Sequence, residues 1–139
     1  MVHRYSRELA RLLRDQNYSE NRIFHYCSSG TPGDRMVNGA FLMGAFMIII
    51  LKMSAEQAYE KFKPYHSMFK HYRDASKGEC FYNCTLLHCL QGLEYGVRFG
   101  WYDFRTFNVK EYEYYERVEN GDLNWIIPGK FVAFMGPIE

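Results

Sequence analysis

Cys27 and Arg35 are the two residues here whose types, and almost whose spacing, belong to the cleavage of phosphate esters. They bracket the small-residue run "CSSGTPGDR". A loop of this kind, leading from a strand into the first turn of a helix, gathers free backbone amides and the positive end of a helix dipole around an anion. The same field draws a cysteine toward its thiolate. A working loop places five residues between the cysteine and an arginine that grips two phosphate oxygens at once. Here seven residues, Ser28 to Asp34, intervene. The extra length widens the ring, Pro32 lacks a donor amide, and Asp34 adds negative charge beside the anion position. Two readings follow: a nucleophile with its clamp, or a degenerate loop that only joins strand to helix. The spacing favours the second.

The other thiols point away from a metal. Cys80 and Cys84 stand four apart, with Cys89 beyond them beside His88. A structural zinc site wants two close-spaced ligand pairs from separate loops, so these three read as core cysteines. His3, His25, His66 and His71 lie scattered, and none is nominated as a base. No metal and no cofactor is expected.

Elements must position whatever chemistry exists. Val2, Tyr5, Leu9, Leu12 and Leu13 recur at helical spacing and predict an amphipathic helix over 2–15. "RIFHYC" (Arg22–Cys27) is short, aromatic and β-branched, and predicts a buried strand that runs into the loop. Helix resumes over about Asn38–Leu51. Ser54 and Gln57 form a capping box that opens another helix, limited by Pro64. Leu86, Leu87, Leu90, Leu93 and Val97 mark a second core helix that stops near Gly100. Asn108 and Glu111 start a short acidic, tyrosine-rich helix. Turn signals at Asn120-Gly121 and Pro128-Gly129 punctuate apolar, β-prone runs to the end. Strands and helices alternate, so α/β is the expected class. With no repeat and no internal linker, 1–139 reads as a single domain.

Composition sets limits on function. Hydrophobic residues are 47% of the chain and aromatics 18%, with 12 Tyr and 11 Phe, which is enough for a core and argues against disorder. The net charge of +1 gives no pull toward nucleic acid or an acidic membrane. Residues 1–36 hold six Arg against four acids, whereas 94–122 hold seven acids against four bases, so a charge-selective surface belongs to the C-terminal third. The N-terminus is charged and helical with no secretory apolar core, so reduced thiols in cytosol or nucleus are expected. "AFLMGAFMIIIL" (Ala40–Leu51) is 12 residues long, short of the roughly 20 a bilayer needs, and reads as a buried helix.

Three stretches carry a resemblance. "YDFRTFNVKEYEYYERVENGDLNWIIPGKFVAFMGP" (Tyr102–Pro137), "RDASKGECFYNCTLLHCLQGLEYG" (Arg73–Gly96) and "NGAFLMGAF" (Asn38–Phe46) are similar to the N-terminal domain of the Cdc-fourteen type of dual-specificity protein phosphatase, from about residue 22 onward. The resemblance implies a dual-specificity-phosphatase-like fold, a central mixed sheet flanked by helices with a degenerate phosphate loop. It further implies a non-catalytic, pseudo-phosphatase domain that supports a C-terminal catalytic domain, itself absent from this chain, in a cell-cycle enzyme. Such a domain contributes to an acidic groove that recognises a basic residue C-terminal to a phosphoserine-proline site. By motif match the groove carboxylates are Glu113, Glu116 and Asp122. Glu113 and Glu116, three apart on a helix, share a face, and Asp122 follows in the turn. The bland alternative is a solvated acidic helix face. Family members precede this chain's first helix with further strands, which leaves a sheet edge uncovered and open to self-association.

The partners expected are therefore phosphorylated proteins with nearby basic residues and a catalytic domain, with no nucleic acid and no membrane. The resemblance places the protein inside the cell, in nucleus, nucleolus, spindle-associated bodies or cytoplasm. A small cysteine-dependent phosphatase using Cys27 and Arg35, and a free-standing interaction module, are the alternatives.

Overall fold

The structure is a computed structural model, and it describes residues 1–27, 34–73 and 78–136. The chain forms two compact units, Met1–Tyr95 and Gly96–Glu139.

In the first unit, α1 (Val2–Arg14) packs on α2 (Asp34–Ile49), and α2 packs on α3 (Ala55–Glu60). On α1 the buried positions are Ser6 and Ala10, small residues one turn apart that permit close helix approach. Leu13, expected on the inner stripe, is exposed instead. The Glu8 and Arg11 side chains join in a bidentate pair at 2.7–3.2 Å on the wet face, which contributes little because water screens it.

α2 begins four residues earlier than its apolar run suggests and is the central helix of the unit. It ends where Lys52 adopts a φ of 59° and its Nζ donates to the Ile49 carbonyl at 2.7 Å, a cation on orphan carbonyls at the negative end of the dipole. Ala45, Phe46, Ile48 and Ile49 are buried, as the apolar run predicts. No helix among the described residues is long and apolar enough to cross a membrane.

Local signals place the next helices. Ser54 accepts from the Gln57 amide at 3.1 Å while Gln57 accepts from the Ser54 amide at 3.0 Å, which completes the capping box of α3. Pro64 lies in the first turn of the 3-10 helix Lys63–Met68 that follows. α4 (Leu86–Arg98) is opened by a reciprocal pair as well: Thr85 Oγ1 accepts from the His88 amide at 3.2 Å, and His88 Nδ1 accepts from the Thr85 amide at 3.3 Å. Leu86 and Leu90 of α4 join Val37, Ile48, Ala55 and Ala58 in the core. Gly44 of α2 lets Leu90 approach so closely that a Cβ there would stand 2.7 Å from Leu90 Cδ2.

Two expectations are corrected here. Arg22–Cys27 is not a strand and is not buried: every residue is exposed, Phe24 at 79% and Tyr26 at 86%. A β-prone segment becomes a strand only where a ladder partner meets it. Among the described residues the first unit offers only the isolated bridge between Tyr72 and Cys84. Glu94 does not belong to an acidic surface either, since its Oε2 accepts from the Ala55 amide at 2.8 Å and caps α3.

The second unit carries α5 (Val109–Tyr115) and a hairpin of β1 (Asn124–Ile127) and β2 (Phe131–Ala133). The expected cap of α5 is present, with Asn108 accepting from the Glu111 amide at 3.2 Å. The strands pair antiparallel, Asn124 with Ala133, Trp125 with Val132 and Ile127 with Phe131, around an irregularity at Ile126. Pro128 and Gly129, the latter at a φ of 72°, form the turn, closed by the Lys130 amide on the Ile127 carbonyl at 2.9 Å. A glycine at positive φ after proline is what such a turn demands. This two-stranded sheet is the only sheet among the described residues, so the molecule is a helix-rich α/β chain. Trp125, Ile126 and Phe131 are 57–63% exposed.

Candidate functional site

Two places collect the residues that sequence reasoning singles out. At the first, Cys27 ends the extended segment and lies on the flank of α2. A Cβ added to Gly39 would overlap Cys27 Sγ and stand 3.1 Å from His25 Nε2. Gly39 lies beyond the first four residues of α2, so its amide is already bonded within the helix and is not among the free donors of the N-terminus. The thiol thus rests against the body of the helix. Arg35 stands in the first turn of α2 and is exposed. The loop between them, residues 28–33, lies outside the described residues, and the expected degenerate ring of amides falls there.

His25, unassigned in the sequence, has a place here. Its Nε2 lies 3.9 Å from Cys27 Sγ, and its Nδ1 shares a hydrogen bond of 3.0 Å with the hydroxyl of Tyr5. The Tyr5 and His25 rings meet edge to face at 5.4 Å. Burial, and then the negative charge Cys27 can carry, push the Tyr5 phenol above its ordinary value. The signal was present: His25 and Cys27 are two apart on extended chain, where alternate side chains share a face.

The second place is the C-terminal end of α5. Glu113 is half-buried on the helix and Glu116 is its exposed C-cap. Tyr112 donates its hydroxyl to Glu116 Oε1 at 3.1 Å. Burial, then this bond, hold the Tyr112 phenol above its ordinary value. The chain turns back at once. Asn120 Nδ2 donates to the Tyr114 carbonyl at 2.7 Å, Gly121 takes a φ of 101°, Asp122 a φ of 48°, and the Leu123 amide bonds the Tyr115 carbonyl at 2.7 Å. Asp122 is thereby returned to the end of the helix that carries Glu113 and Glu116. With Glu119 the turn holds four carboxylates and one guanidinium, that of exposed Arg117. That arginine offsets one of the four charges, but the local balance stays strongly negative. The negative end of the α5 dipole adds to it. Tyr112 is turned to its own unit by ring contact with Phe107 at 5.6 Å, while Tyr114 is exposed.

The remaining cysteines are half-buried, not core. Cys84 and Cys89 approach to 3.5 Å, sulfur to sulfur, and Cys80 Sγ points to the Tyr82 carbonyl at 3.1 Å. Among the described residues no group of three or more His, Cys, Asp or Glu is placed to hold a metal ion. An open depression of about 420 Å³, lined by Val37, Asn38 and Lys70 to Arg73, contains none of the expected site residues.

Comparison with known proteins gives the chain a family. A family model described as "Dual specificity protein phosphatase, N-terminal half" matches residues 1–96. It takes in α1, which the sequence resemblance left out. The chain is 47% identical over 138 residues to the dual specificity protein phosphatase CDC14A of Homo sapiens, a match covering 99% of this chain and 23% of that protein. It is 40% identical over 141 residues to the tyrosine-protein phosphatase cdc-14 of Caenorhabditis elegans, covering 99% and 20%. With the CDC14 homolog of Schizosaccharomyces pombe it shares 34% over 111 residues, covering 80% and 20%. The chain therefore spans about a fifth of the length of these relatives.

Proposed function

The chain belongs to the dual specificity protein phosphatase family, in the part formed by that family's N-terminal half, and on that premise we propose that it is a substrate-docking and scaffolding domain without catalysis of its own. Its fold would be the phosphatase-like one with a degenerate phosphate loop between Cys27 and Arg35. The parent protein would continue into a catalytic domain that dephosphorylates serine, threonine and tyrosine. Glu113, Glu116 and Asp122 would form part of a groove for the Lys or Arg that follows a phosphoserine-proline site.

The observation that carries this reading is the return of residues 117–123 onto the end of α5, which puts Asp122 beside the helix that bears the two glutamates. A cation there meets several carboxylates and a helix C-terminus at once. Exposed charge pairs contribute up to about 1 kcal/mol each. Removing three should weaken binding of a basic phosphopeptide by about tenfold or more. Titration calorimetry with a phosphoserine-proline peptide bearing a C-terminal-side lysine, against the chain and its Glu113→Gln/Glu116→Gln/Asp122→Asn variant, tests it. Equal affinities for the two proteins would remove the carboxylates from the explanation. The apolar hairpin, with Trp125, Ile126, Phe131 and Phe134 exposed, would be covered by the catalytic domain.

A second reading has one observation in its favour: the contact of Cys27 with His25, itself held by Tyr5, is the arrangement of a thiol beside a base. It makes the chain a small phosphatase. A chromogenic phosphate ester decides between the two. The docking reading expects no turnover above that of Cys27→Ser, whereas turnover lost in Cys27→Ser would establish the enzyme.

A further inference from the structure

We propose that Cys84 and Cys89 are a peroxide-sensitive thiol pair that closes to a reversible disulfide, fastening the Tyr72–Cys84 bridge to the first turn of α4. The two sulfurs lie 3.5 Å apart, and a disulfide of about 2.05 Å needs only a modest turn of the side chains from there. Within one helix residues five apart diverge. Cys84 meets Cys89 because it lies outside α4, next to the cap residue Thr85, in extended chain whose amide and carbonyl are bonded to Tyr72 at 3.3 and 2.8 Å. Both thiols are half-buried, open to a small peroxide and shielded from a second protein chain. The competing thiol, Cys80, is directed to the Tyr82 carbonyl, and Cys27 lies against Gly39 on another helix.

The chemistry balances with a peroxide as oxidant. The Cys84 sulfur attacks the O–O bond and takes one oxygen as a sulfenic acid, while the other oxygen leaves as water or an alcohol. The Cys89 sulfur then attacks the Cys84 sulfur. The S–S bond forms, the S–O bond breaks, and the hydroxyl leaves as water with the Cys89 proton. Two electrons pass from the sulfurs to the peroxide, and a dithiol returns them.

Trypsin releases Gly78–Arg98, which carries Cys80, Cys84 and Cys89 on one peptide. The 139-residue chain is treated with hydrogen peroxide, alkylated, digested and sequenced by mass spectrometry, before and after dithiothreitol. The expected peptide is alkylated at Cys80 alone and regains both other sites on reduction. Oxidation should also raise the melting temperature of the wild type by a few degrees, with no rise in Cys84→Ser or Cys89→Ala. A link through Cys80, a link to Cys27, or full alkylation of all three thiols after Cys27 has been oxidised overturns the proposal.

Discussion

At the scale of single residues, Tyr72 connects most of what is unusual in the first unit. Its hydroxyl is buried with no hydrogen-bond partner among the described residues, an arrangement that costs free energy because the water it lost is not replaced. Burial, then the neighbouring Cys89 and Cys84, push its ionisation up to about 12. Both Tyr72 and Cys89 are thus raised from ordinary values of 10.0 and 9.0. A group with a raised folded value stabilises the fold fully below its unfolded value and stops doing so as pH climbs to the folded one. Thermal unfolding should accordingly hold level to about pH 9 and fall steadily toward pH 12. Tyr72→Phe removes the orphan hydroxyl, so it should gain about 1 kcal/mol at pH 8 and show a shallower alkaline decline in calorimetry. A loss of stability at pH 8 would mean that the hydroxyl has a partner. Little of this could be read from the chain, because Tyr72 meets Cys84 and Cys89 only once the bridge and α4 have formed. The pairing of His25 with Cys27 was readable from their spacing, but the contribution of Tyr5, from another helix, was not.

At the scale of elements, what local chemistry controls was readable and what depends on a neighbour was not. The caps at Ser54 and Asn108 and the core positions of α4 are set within a turn or two, and they stand where the residues indicate. Thr85 with His88 went unnoticed because histidine replaces the usual glutamate of a capping box. Arg22–Cys27 failed as a strand because no described residue pairs with it, and pairing depends on the rest of the molecule rather than on those six residues. Helix contacts give a sharper test. Gly44 faces fully buried Leu90, whereas a Cβ on Gly92, in the middle of α4, meets nothing within 4 Å. Alanine improves helix propensity by about 1 kcal/mol at either site. At Gly44 overpacking costs about 1–3 kcal/mol and wins, since Leu90 has nowhere to move. Gly92→Ala should raise the midpoint of urea unfolding and Gly44→Ala should lower it. Equal shifts would show that α2 and α4 do not approach at that point.

At the scale of the whole molecule, charge and apolar surface pull the same way. A net charge of +1 gives two copies almost no long-range repulsion. The hairpin of the second unit meanwhile exposes Trp125, Ile126, Phe131 and Phe134, each 57–66% accessible, and two strands alone bury too little to be stable without cover. β2 is exposed at every residue, so it presents an unpaired edge as well as apolar side chains. When nothing else occupies this surface, a second copy can, by edge pairing and apolar contact together. The weight-average mass in sedimentation equilibrium should rise with protein concentration, and Ile126→Lys/Phe131→Lys should return it to that of the monomer. Salt separates this mechanism from charge pairing between the acidic turn of one copy and the arginine-rich α1 of another. Screening would weaken an ionic contact, whereas a salting-out anion such as sulfate strengthens apolar burial. Association that persists or grows in sulfate and vanishes in the lysine variant identifies the hairpin as the contact; association abolished by salt and untouched by the substitutions would transfer it to the charged surfaces.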